Sequence, residues 1–536
     1  MPEHLRALVV ILGIAIPAFW LARRALCDGL MSAEDFDRRR KLWFAVTLLA
    51  FLSHSFWLYI ILCGAMLLLV GSKERNPAVL YALLILAVPG FEQAVPGMGL
   101  INYVFDINHI RLLNLVILLP AALRLAQHPA PSGSGRWRLC DRLLIAYMLF
   151  SLLHRVSFDS ATGTLRFGFY LWLDIWLPYF VVSRYLNSGR DFKEFIAAFV
   201  LGVAVTAVIA AFETSRHWLL YESLRYALKL PTVLPMYLTR GEGGGLRAYV
   251  TTLNPIALGY TMMVALIFAL ALARDLVARW QAVLLIGVLA VGLFAPLSRG
   301  PWVGAAVGLL GAMAFGPGGA WRLIKLLAVG GAAFGLLLVS PYGPRVIDLL
   351  PFVGSVEAEN VTYRQRLVDV SMIVFWERPF FGSPDYLMHP ALEEMRQGQG
   401  IIDVVNTYLG VALYSGFVGL LLFLAPFLAA GFFVWRSLRK LHPLQESYQS
   451  LGRAVLGALV GAAITIATVS SITVIPTIYW ILLALAVSFI GLAKQGPSPV
   501  DVAAKAPADS ARYHGSAYAY NRQSRAMSHS TAGSHV

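Results

Sequence analysis

The chain has 536 residues, of which 58% are hydrophobic and 13% are charged, and its mean hydropathy is +0.69. Soluble domains carry roughly 25% charged residues, so this composition excludes a single water-soluble fold. The formal net charge of +14 is compatible with nucleic-acid binding. The basic residues, however, lie in short clusters between apolar runs, which is the pattern of membrane topology. We therefore predict an all-α polytopic membrane protein that binds no nucleic acid.

Fifteen apolar segments follow one another along the chain, and most approach the roughly 17–25 residues that cross a bilayer. They lie at about 6–22, 42–53, 56–71, 77–94, 110–124, 143–154, 167–183, 194–212, 252–273, 281–297, 301–317, 323–340, 406–434, 454–470 and 474–493. Ser53-His54-Ser55 is typical of a tight polar turn, although one long tilted helix over 42–71 is the alternative. We expect a helical bundle of about 14–15 spans over residues 1–493, beginning with a helix rather than a cleaved signal peptide.

The distribution of lysine and arginine predicts the orientation of these spans. With Arg38-Arg39-Arg40-Lys41 in the cytoplasm, the short cytoplasmic loops hold 23 basic residues, and the outward termini and short loops hold five. Such an excess marks the cytoplasmic side of bacterial membrane proteins. We therefore predict a multi-pass protein of the bacterial inner membrane. Residues 494–536 are rich in Ser, Ala, Pro and His, and are expected to form a disordered cytoplasmic tail.

Two loops, at about 213–251 and 341–405, are too long to be simple connectors. Both face the periplasm in the predicted topology, and both contain aromatic and aliphatic residues, so we expect them to fold on the membrane surface. The three cysteines, Cys27, Cys63 and Cys140, have no metal-binding or redox spacing. We expect neither a metal nor a cofactor.

Two arginines on the outer side are candidates for binding a phosphate. Arg247 follows the glycine-rich segment 241–245, in which the backbone can approach a ligand closely. Arg299 lies in the tight turn Ser298-Arg299-Gly300-Pro301 between two apolar helices, where a charge is costly and is a functional-site candidate. The alternatives are a flexible hinge at the glycines and arginines that extend to lipid headgroups.

Two further places lie in and after the second long loop. Arg364 and Arg366 precede Glu377-Arg378-Pro379, and several guanidiniums in one loop can hold a diphosphate. Pairing of these arginines with acidic residues of the loop is the alternative. Asp403 and Asn406 lie at the start of a long apolar helix, where Asn406 is either part of the site or only a helix cap.

These four places, in this order, resemble the O-antigen ligase and Wzy-type polymerase superfamily. The resemblance is carried by Ser298-Arg299-Gly300, then a large outer loop, then Asn406-Thr407-Tyr408-Leu409 leading into Gly416-Phe417-Val418-Gly419. Leu246-Arg247 before Asn254-Pro255 is also similar to the family's entry into the preceding helix. The resemblance covers about residues 40–495. It implies a GT-C-like glycosyltransferase that uses undecaprenyl-diphosphate-linked glycans in the periplasm.

A glycosyltransferase of this kind needs cations for the diphosphate leaving group and a base for the acceptor hydroxyl. Arg247, Arg299, Arg364 and Arg366 are the predicted diphosphate-binding residues. The family's ligases have a histidine immediately before the asparagine, whereas this chain has Val405. The predicted catalytic residues are therefore Asp403 and His389, as candidates for the base, together with Asn406.

The missing histidine favours a polymerase of exopolysaccharide or O-antigen repeat units over a ligase, and both stay open. The predicted partners are an undecaprenyl-diphosphate-linked oligosaccharide, membrane lipid, and envelope polysaccharide assembly or export proteins. A polysaccharide transporter or flippase is the alternative from another class, and it would need charged or broken helices at the bilayer midplane. A structural component of an envelope export complex is the third reading.

Overall fold

The computed structural model of the chain describes residues 1–495, except residues 28, 72, 100–101, 128–137, 232–238, 240–244, 317–318, 341–357, 397–401 and 442–444. The described part is a bundle of α-helices with one small antiparallel hairpin. This confirms the predicted all-α helical fold. Residues 496–536 of the predicted tail and most of the glycine-rich segment 241–245 lie outside the described residues, whereas residues 494 and 495 end the last helix.

The described residues of the first half of the chain form nine helices and the hairpin. These are α1 Glu3–Leu26, α2 Ala33–Leu52, α3 Phe56–Gly71, α4 Pro77–Leu84, β1 Gln93–Pro96, β2 Tyr103–Ile107, α5 His109–Gln127, α6 Leu139–Val156, α7 Ala161–Tyr185, α8 Gly189–Arg216 and α9 Ser223–Ala227. Helices α5 and α7 each contain a π-helical turn, at Asn114–Leu118 and Leu171–Trp176.

The described residues of the second half form nine further helices. These are α10 Pro255–Leu272, α11 Arg279–Phe294, α12 Arg299–Ala314, α13 Gly319–Val339, α14 Ala358–Glu377, α15 Pro390–Glu393, α16 Thr407–Leu438, α17 Glu446–Ile466 and α18 Ile475–Gln495, with a 3₁₀ turn at Tyr386–Met388. The two long loops are thus partly helical, because α9 lies in the first and α14 and α15 lie in the second.

Among the described residues, eight helices are long and apolar enough to cross a membrane. They are α1, α5, α7, α8, α10, α16, α17 and, over Ile475–Lys494, α18. Helices α3 and α11 are apolar but shorter. The protein is therefore a multi-pass membrane protein. The total of 14–15 spans and the orientation of the loops stay predictions.

Two predicted segments between residues 42 and 94 have different outcomes. Helix α2 ends at Leu52 and α3 begins at Phe56, so Ser53–Ser55 is a turn between two helices, as predicted. The segment 77–94, in contrast, is not one helix, because α4 ends at Leu84 and the chain continues into the hairpin. Pro89 and Gly90 follow that helix end, and such a pair favours a turn over a continued helix.

One arginine of the basic cluster used for the topology prediction is deeply buried. Arg39 is 1% exposed, and its guanidinium lies 2.5 Å from Glu74 and 2.6 Å from Glu194. A buried charge requires such partners. Arg39 therefore joins α2 to the connection before α4 and to α8, in addition to marking one side of the bundle.

Helices α12 and α17 pack against each other through glycine. A Cβ atom built on Gly308 would lie 2.7 Å from the carbonyl oxygen of Gly457, and one on Gly461 would lie 2.8 Å from that of Gly304. Small residues at this spacing allow two helix backbones to approach closely. Gly300 contacts Thr468 just beyond the end of α17, so the two helices run antiparallel.

Helix α16 is broken at Gly416, whose φ of 65° and ψ of −167° are not helical. In an unbroken helix, Phe417 N–H would donate to Leu413 O. Here Phe417 N–H donates to Pro379 O at 2.7 Å, and Leu413 O accepts from Ser383 N–H at 2.9 Å. The second long loop therefore docks into the break and replaces the missing helical hydrogen bonds.

We predict that Gly308→Ala destabilises the protein by about 1–3 kcal/mol, since the added methyl group overpacks a backbone contact. The thermal unfolding midpoint of the detergent-purified protein measures the effect. Gly311→Ala on the same helix is the matched control, because its Cβ would make only ordinary contacts with the Val460 side chain, at 3.8 Å and beyond. Equal midpoints for the two variants would contradict the close contact of α12 and α17.

We predict that Gly416→Ala releases the docked loop, because an alanine Cβ would overlap the backbone of Phe380 and would strain the positive φ. Chymotrypsin cleavage after Phe381 should then become faster by tenfold or more. Gly410→Ala on the same helix is the control, since nothing lies within 4 Å of its Cβ position. Unchanged cleavage in Gly416→Ala would show that the docking tolerates a side chain there.

Candidate functional site

Arg247 lies against the turn that contains Arg299. Its Nε donates to the carbonyl oxygen of Pro296 at 3.1 Å, and its Nη2 donates to Ser298 Oγ at 3.0 Å. Arg247 is half-buried, as is Arg299, the first residue of α12. Arg247 and Arg299 are 52 positions apart in the sequence, but both lie at the turn that precedes α12. The predicted diphosphate site requires such proximity.

Buried polar contacts hold the chain around Arg247 in place. Glu213, near the end of α8, is fully buried and accepts hydrogen bonds from Leu220 N–H at 3.0 Å and Val250 N–H at 3.1 Å. Ala248 N–H donates to Ala295 O at 3.4 Å. The first long loop is therefore fixed to α8 and to the end of α11, which limits the positions that the Arg247 backbone can take.

The Arg299 turn and the Asp403 segment are joined through the connection between α17 and α18. A Cβ on Gly300 would lie 2.5 Å from Thr468 Oγ1. Two residues further on, Ser470 Oγ donates to Asp403 Oδ1 and lies 2.8 Å from Val404 O. An extended chain advances about 3.3–3.6 Å per residue. The Cα atoms of Thr468, which contacts Gly300, and Ser470, which contacts Asp403, are therefore at most about 7 Å apart.

The backbone of this connection also fixes the start of α16. Val469 O accepts from Thr407 N–H at 2.9 Å and from Thr407 Oγ1 at 2.8 Å. Asp403 is therefore held in place by the hydrogen bond from Ser470 to its side chain and by the attachment of the following helix, α16, to Val469. The Arg299 turn, with the Arg247 guanidinium against it, and the Asp403 carboxylate therefore lie at the same end of the bundle.

Asn406 forms the N-cap of α16. Its Oδ1 accepts from Tyr408 N–H at 2.9 Å and from Leu409 N–H at 3.2 Å. The cap alternative of the sequence analysis is therefore present. Val405, at the position of the family's histidine, is half-buried and packs with the apolar cluster of the second long loop.

Arg364 and Arg366 lie on α14, which packs through Tyr363 and Leu367 in the apolar cluster that also contains Val404. Two positions on an α-helix are separated by about 200° around the axis, so the helix itself does not direct both guanidiniums to one ligand. Arg366 Nη2 lies 3.1 Å from Glu394 Oε2, and both side chains are more than 60% exposed. This is the pairing alternative of the sequence analysis, although with a glutamate that it did not name. Exposed pairs of this kind contribute about 0–1 kcal/mol.

His389 is held within the second long loop. Its Nε2 lies 3.1 Å and 3.2 Å from the two carboxylate oxygens of Glu377, and its Nδ1 accepts from Ala391 N–H at 3.2 Å. Because Nδ1 accepts, the proton of the neutral ring is on Nε2, which donates to Glu377. The structure therefore gives His389 a carboxylate partner of its own.

Tyr386 connects His389 with Asp403. His389 N–H donates to Tyr386 O at 3.1 Å. Burial raises the pKa of the Tyr386 hydroxyl, and the negative charge of Asp403 raises it further. Tyr386 also packs in the apolar cluster that contains Val404, so the turn that carries His389 adjoins the Asp403 segment. Within the described ranges, no group of three or more His, Cys, Asp or Glu side chains is arranged to hold a metal ion.

Ser470 is the residue of this region that sequence reasoning missed. It lies in Ser470-Ser471, between two apolar helices. Two adjacent hydroxyl residues between two predicted spans indicate a polar contact at the end of the bundle, and this was the available sequence signal. The residue that Ser470 contacts is 67 positions away, and the sequence pattern gives no indication of that pairing.

Comparison with known proteins was consistent with the sequence analysis. Residues 282–424 match the family model described as O-antigen ligase. The match covers a little over a quarter of the chain and includes Arg299, His389, Asp403 and Asn406, whereas Arg247 and Ser470 lie outside it. No curated protein matches the chain. The matched segment supports glycan ligation or polymerisation in general, and it confirms the resemblance found in the sequence: residues 282–424 are similar to the O-antigen ligase family.

Proposed function

We propose that the protein transfers a glycan from an undecaprenyl-diphosphate carrier to a hydroxyl of an acceptor glycan at the periplasmic face of the bacterial inner membrane. The observation that carries this proposal is the joining of Arg247 to the Arg299 turn, next to the segment that holds Asp403. The similarity to the O-antigen ligase family supports the reaction class. The placement of Arg247, Arg299 and Asp403 in the periplasm rests on the excess of basic residues in the short loops that are predicted to be cytoplasmic.

The two arginines provide positive charge for the leaving group. As the bond between the anomeric carbon and the diphosphate oxygen breaks, the electron pair and a developing negative charge go to the diphosphate. Guanidiniums are always charged and bind phosphate oxygens through two parallel hydrogen bonds. We propose that Arg247 and Arg299 supply this stabilisation without a metal ion. Arg364 and Arg366 are assigned a secondary role, because α14 does not direct both toward the Arg299 turn.

Asp403 is the proposed general base. The acceptor hydroxyl oxygen forms the new bond to the anomeric carbon, and its proton passes to the Asp403 carboxylate. Ser470 holds one carboxylate oxygen, so the orientation of the group is fixed before the acceptor binds. His389 is the second candidate, but its Nε2 is already paired with Glu377. Asn406 positions the segment as the cap of α16.

Val405 favours a polymerase over a ligase, as in the sequence analysis, since no ring nitrogen is available at that position. The proposed substrates are then lipid-linked repeat units of an exopolysaccharide or O-antigen, with envelope assembly proteins as further partners. A transporter would need a charged residue within the membrane helices, and Asp174 in α7 is such a residue; its carboxylate lies 2.9 Å from the guanidinium of Arg111. That ion pair gives Asp174 a structural role in joining α5 to α7.

We predict that Arg299→Ala and Arg247→Ala each lower polymer formation by about 100–1,000-fold, the usual effect of removing one stabiliser of a developing anion. Gel analysis of surface polysaccharide measures the polymer, and membrane immunoblots show that each variant accumulates. Single lipid-linked repeat units should build up if the protein is a polymerase, and long carrier-linked polymer if it is a ligase.

Arg216→Ala is the matched control for these two variants. Arg216 is exposed at the end of α8, the helix that also contacts the Arg247 segment. It should leave polymer formation unchanged. Wild-type polymer in both Arg299→Ala and Arg247→Ala would disprove the role of the arginines.

We predict that Asp403→Asn lowers the transfer rate by about 100–10,000-fold, since an amide cannot accept the acceptor proton. The rate is measured with purified protein and lipid-linked substrate. Asp369→Asn, a change of an exposed aspartate on α14, is the control. If Asp403→Asn is neutral and His389→Ala is not, His389 is the base instead.

A further inference from the structure

The second long loop contains a cavity that the proposed transfer step does not use. Its volume is about 260 Å³, and its walls come from the end of α14, the 3₁₀ turn, the chain leading into α15, and Leu413 of α16. Pockets for drug-sized ligands are roughly 300–1,000 Å³. The cavity is therefore suited to a smaller ligand, of the size of a single sugar ring.

The docked loop gives the cavity a fixed wall. Gly382 and Ser383 line it together with Leu413, and Ser383 N–H donates to Leu413 O at 2.9 Å. This hydrogen bond belongs to the set that replaces the broken turn of α16 at Gly416. The cavity is consequently attached to a membrane helix and does not depend on the conformation of a free loop.

The polar groups of the cavity match hydroxyls better than phosphates. Glu377 and Asp385 offer carboxylate oxygens that accept hydrogen bonds, and Arg378 offers donors. A sugar hydroxyl both donates and accepts, so this mixture satisfies it. Two carboxylates and one guanidinium give these three groups a net negative charge. A diphosphate is itself negatively charged, so this charge disfavours its binding.

Aromatic and apolar groups complete the lining. Phe375 and Tyr386 contribute rings, and Val374 and Leu413 contribute aliphatic surface. Binding pockets combine such apolar walls with a few placed polar groups that fix orientation. A pyranose ring has this dual character, because it carries apolar C–H faces and a polar edge.

The cavity adjoins the proposed base. Val374, Tyr386 and Leu413 line it, and all three pack in the apolar cluster that contains Val404, the neighbour of Asp403. A sugar held in the cavity would therefore lie on the Asp403 side of the site. The arginine turn is linked to Asp403 from the other direction, through Thr468 and Ser470.

We propose that this cavity is the subsite for a sugar ring of the acceptor glycan, bound through Glu377, Asp385 and Arg378 and separate from the diphosphate site at Arg247 and Arg299. The proposal rests on the proposed transfer function, which it deepens. His389 then positions Glu377 for a sugar hydroxyl and does not act as the base.

The test uses the full chain in detergent and a soluble repeat-unit oligosaccharide, released from the cell's own polymer and free of lipid and diphosphate. Saturation-transfer NMR and calorimetry measure its binding. Wild-type protein should bind it, and Asp385→Asn and Glu377→Gln should each weaken binding about tenfold or more, since each removes a hydrogen bond to a charged group. Glu393→Gln, on the same loop but paired with Arg396 outside the cavity, should bind like wild type.

Inorganic pyrophosphate distinguishes the two sites. Arg299→Ala should lose pyrophosphate binding and retain oligosaccharide binding, and the two cavity variants should do the reverse. The subsite is overturned if wild-type protein does not bind the oligosaccharide, or if both cavity variants bind it normally. Normal polymer formation in Arg299→Ala and Arg247→Ala would instead contradict the proposed transfer function. The binding of the oligosaccharide to the cavity would still be decided by the cavity variants alone.

Discussion

The close contact between α12 and α17 is the constraint on which the site depends. Glycines at Gly304, Gly308, Gly457 and Gly461 let the two backbones approach to distances that any side chain would prevent. Because the helices run antiparallel, the start of α12 is held at the end of α17. The Arg299 turn therefore meets the Thr468–Ser470 connection, and that connection reaches Asp403. A loosened helix pair would separate the cations from the carboxylate without changing any residue that the reaction uses.

Local sequence patterns predicted the helices of this protein well. Apolar runs and the Ser53–Ser55 turn placed most helices to within a few residues, because helix length and turn chemistry are properties of neighbouring residues. The prediction of one continuous segment over 77–94 was wrong. Its hydropathy is continuous, but Pro89 and Gly90 favour a turn, and the chain then continues into a hairpin. Hydropathy reports burial, and burial does not distinguish a long helix from a short helix followed by packed turns.

The site could be predicted only in part. Arg247, Arg299 and Asp403 were identified from their chemistry, since charge at a helix junction is unusual in an apolar chain. Their arrangement depends on pairs that are distant in sequence, such as Arg247 with Ser298 and Asp403 with Ser470. Nothing local in the sequence encodes such pairs. The exposure of Arg366 and its pairing with Glu394 likewise follow from how α14 packs through Leu367 and Val374.

The break in α16 has a consequence for the biogenesis of the protein. Phe417 and Val418 obtain their hydrogen-bond partners from Pro379 and Phe380, which the ribosome adds to the chain earlier. Without the loop, the break would leave these two amides without the backbone partners that a continuous helix supplies. The segment that completes α16 is therefore synthesised before the helix itself, and completion of the helix is coupled to folding of the loop.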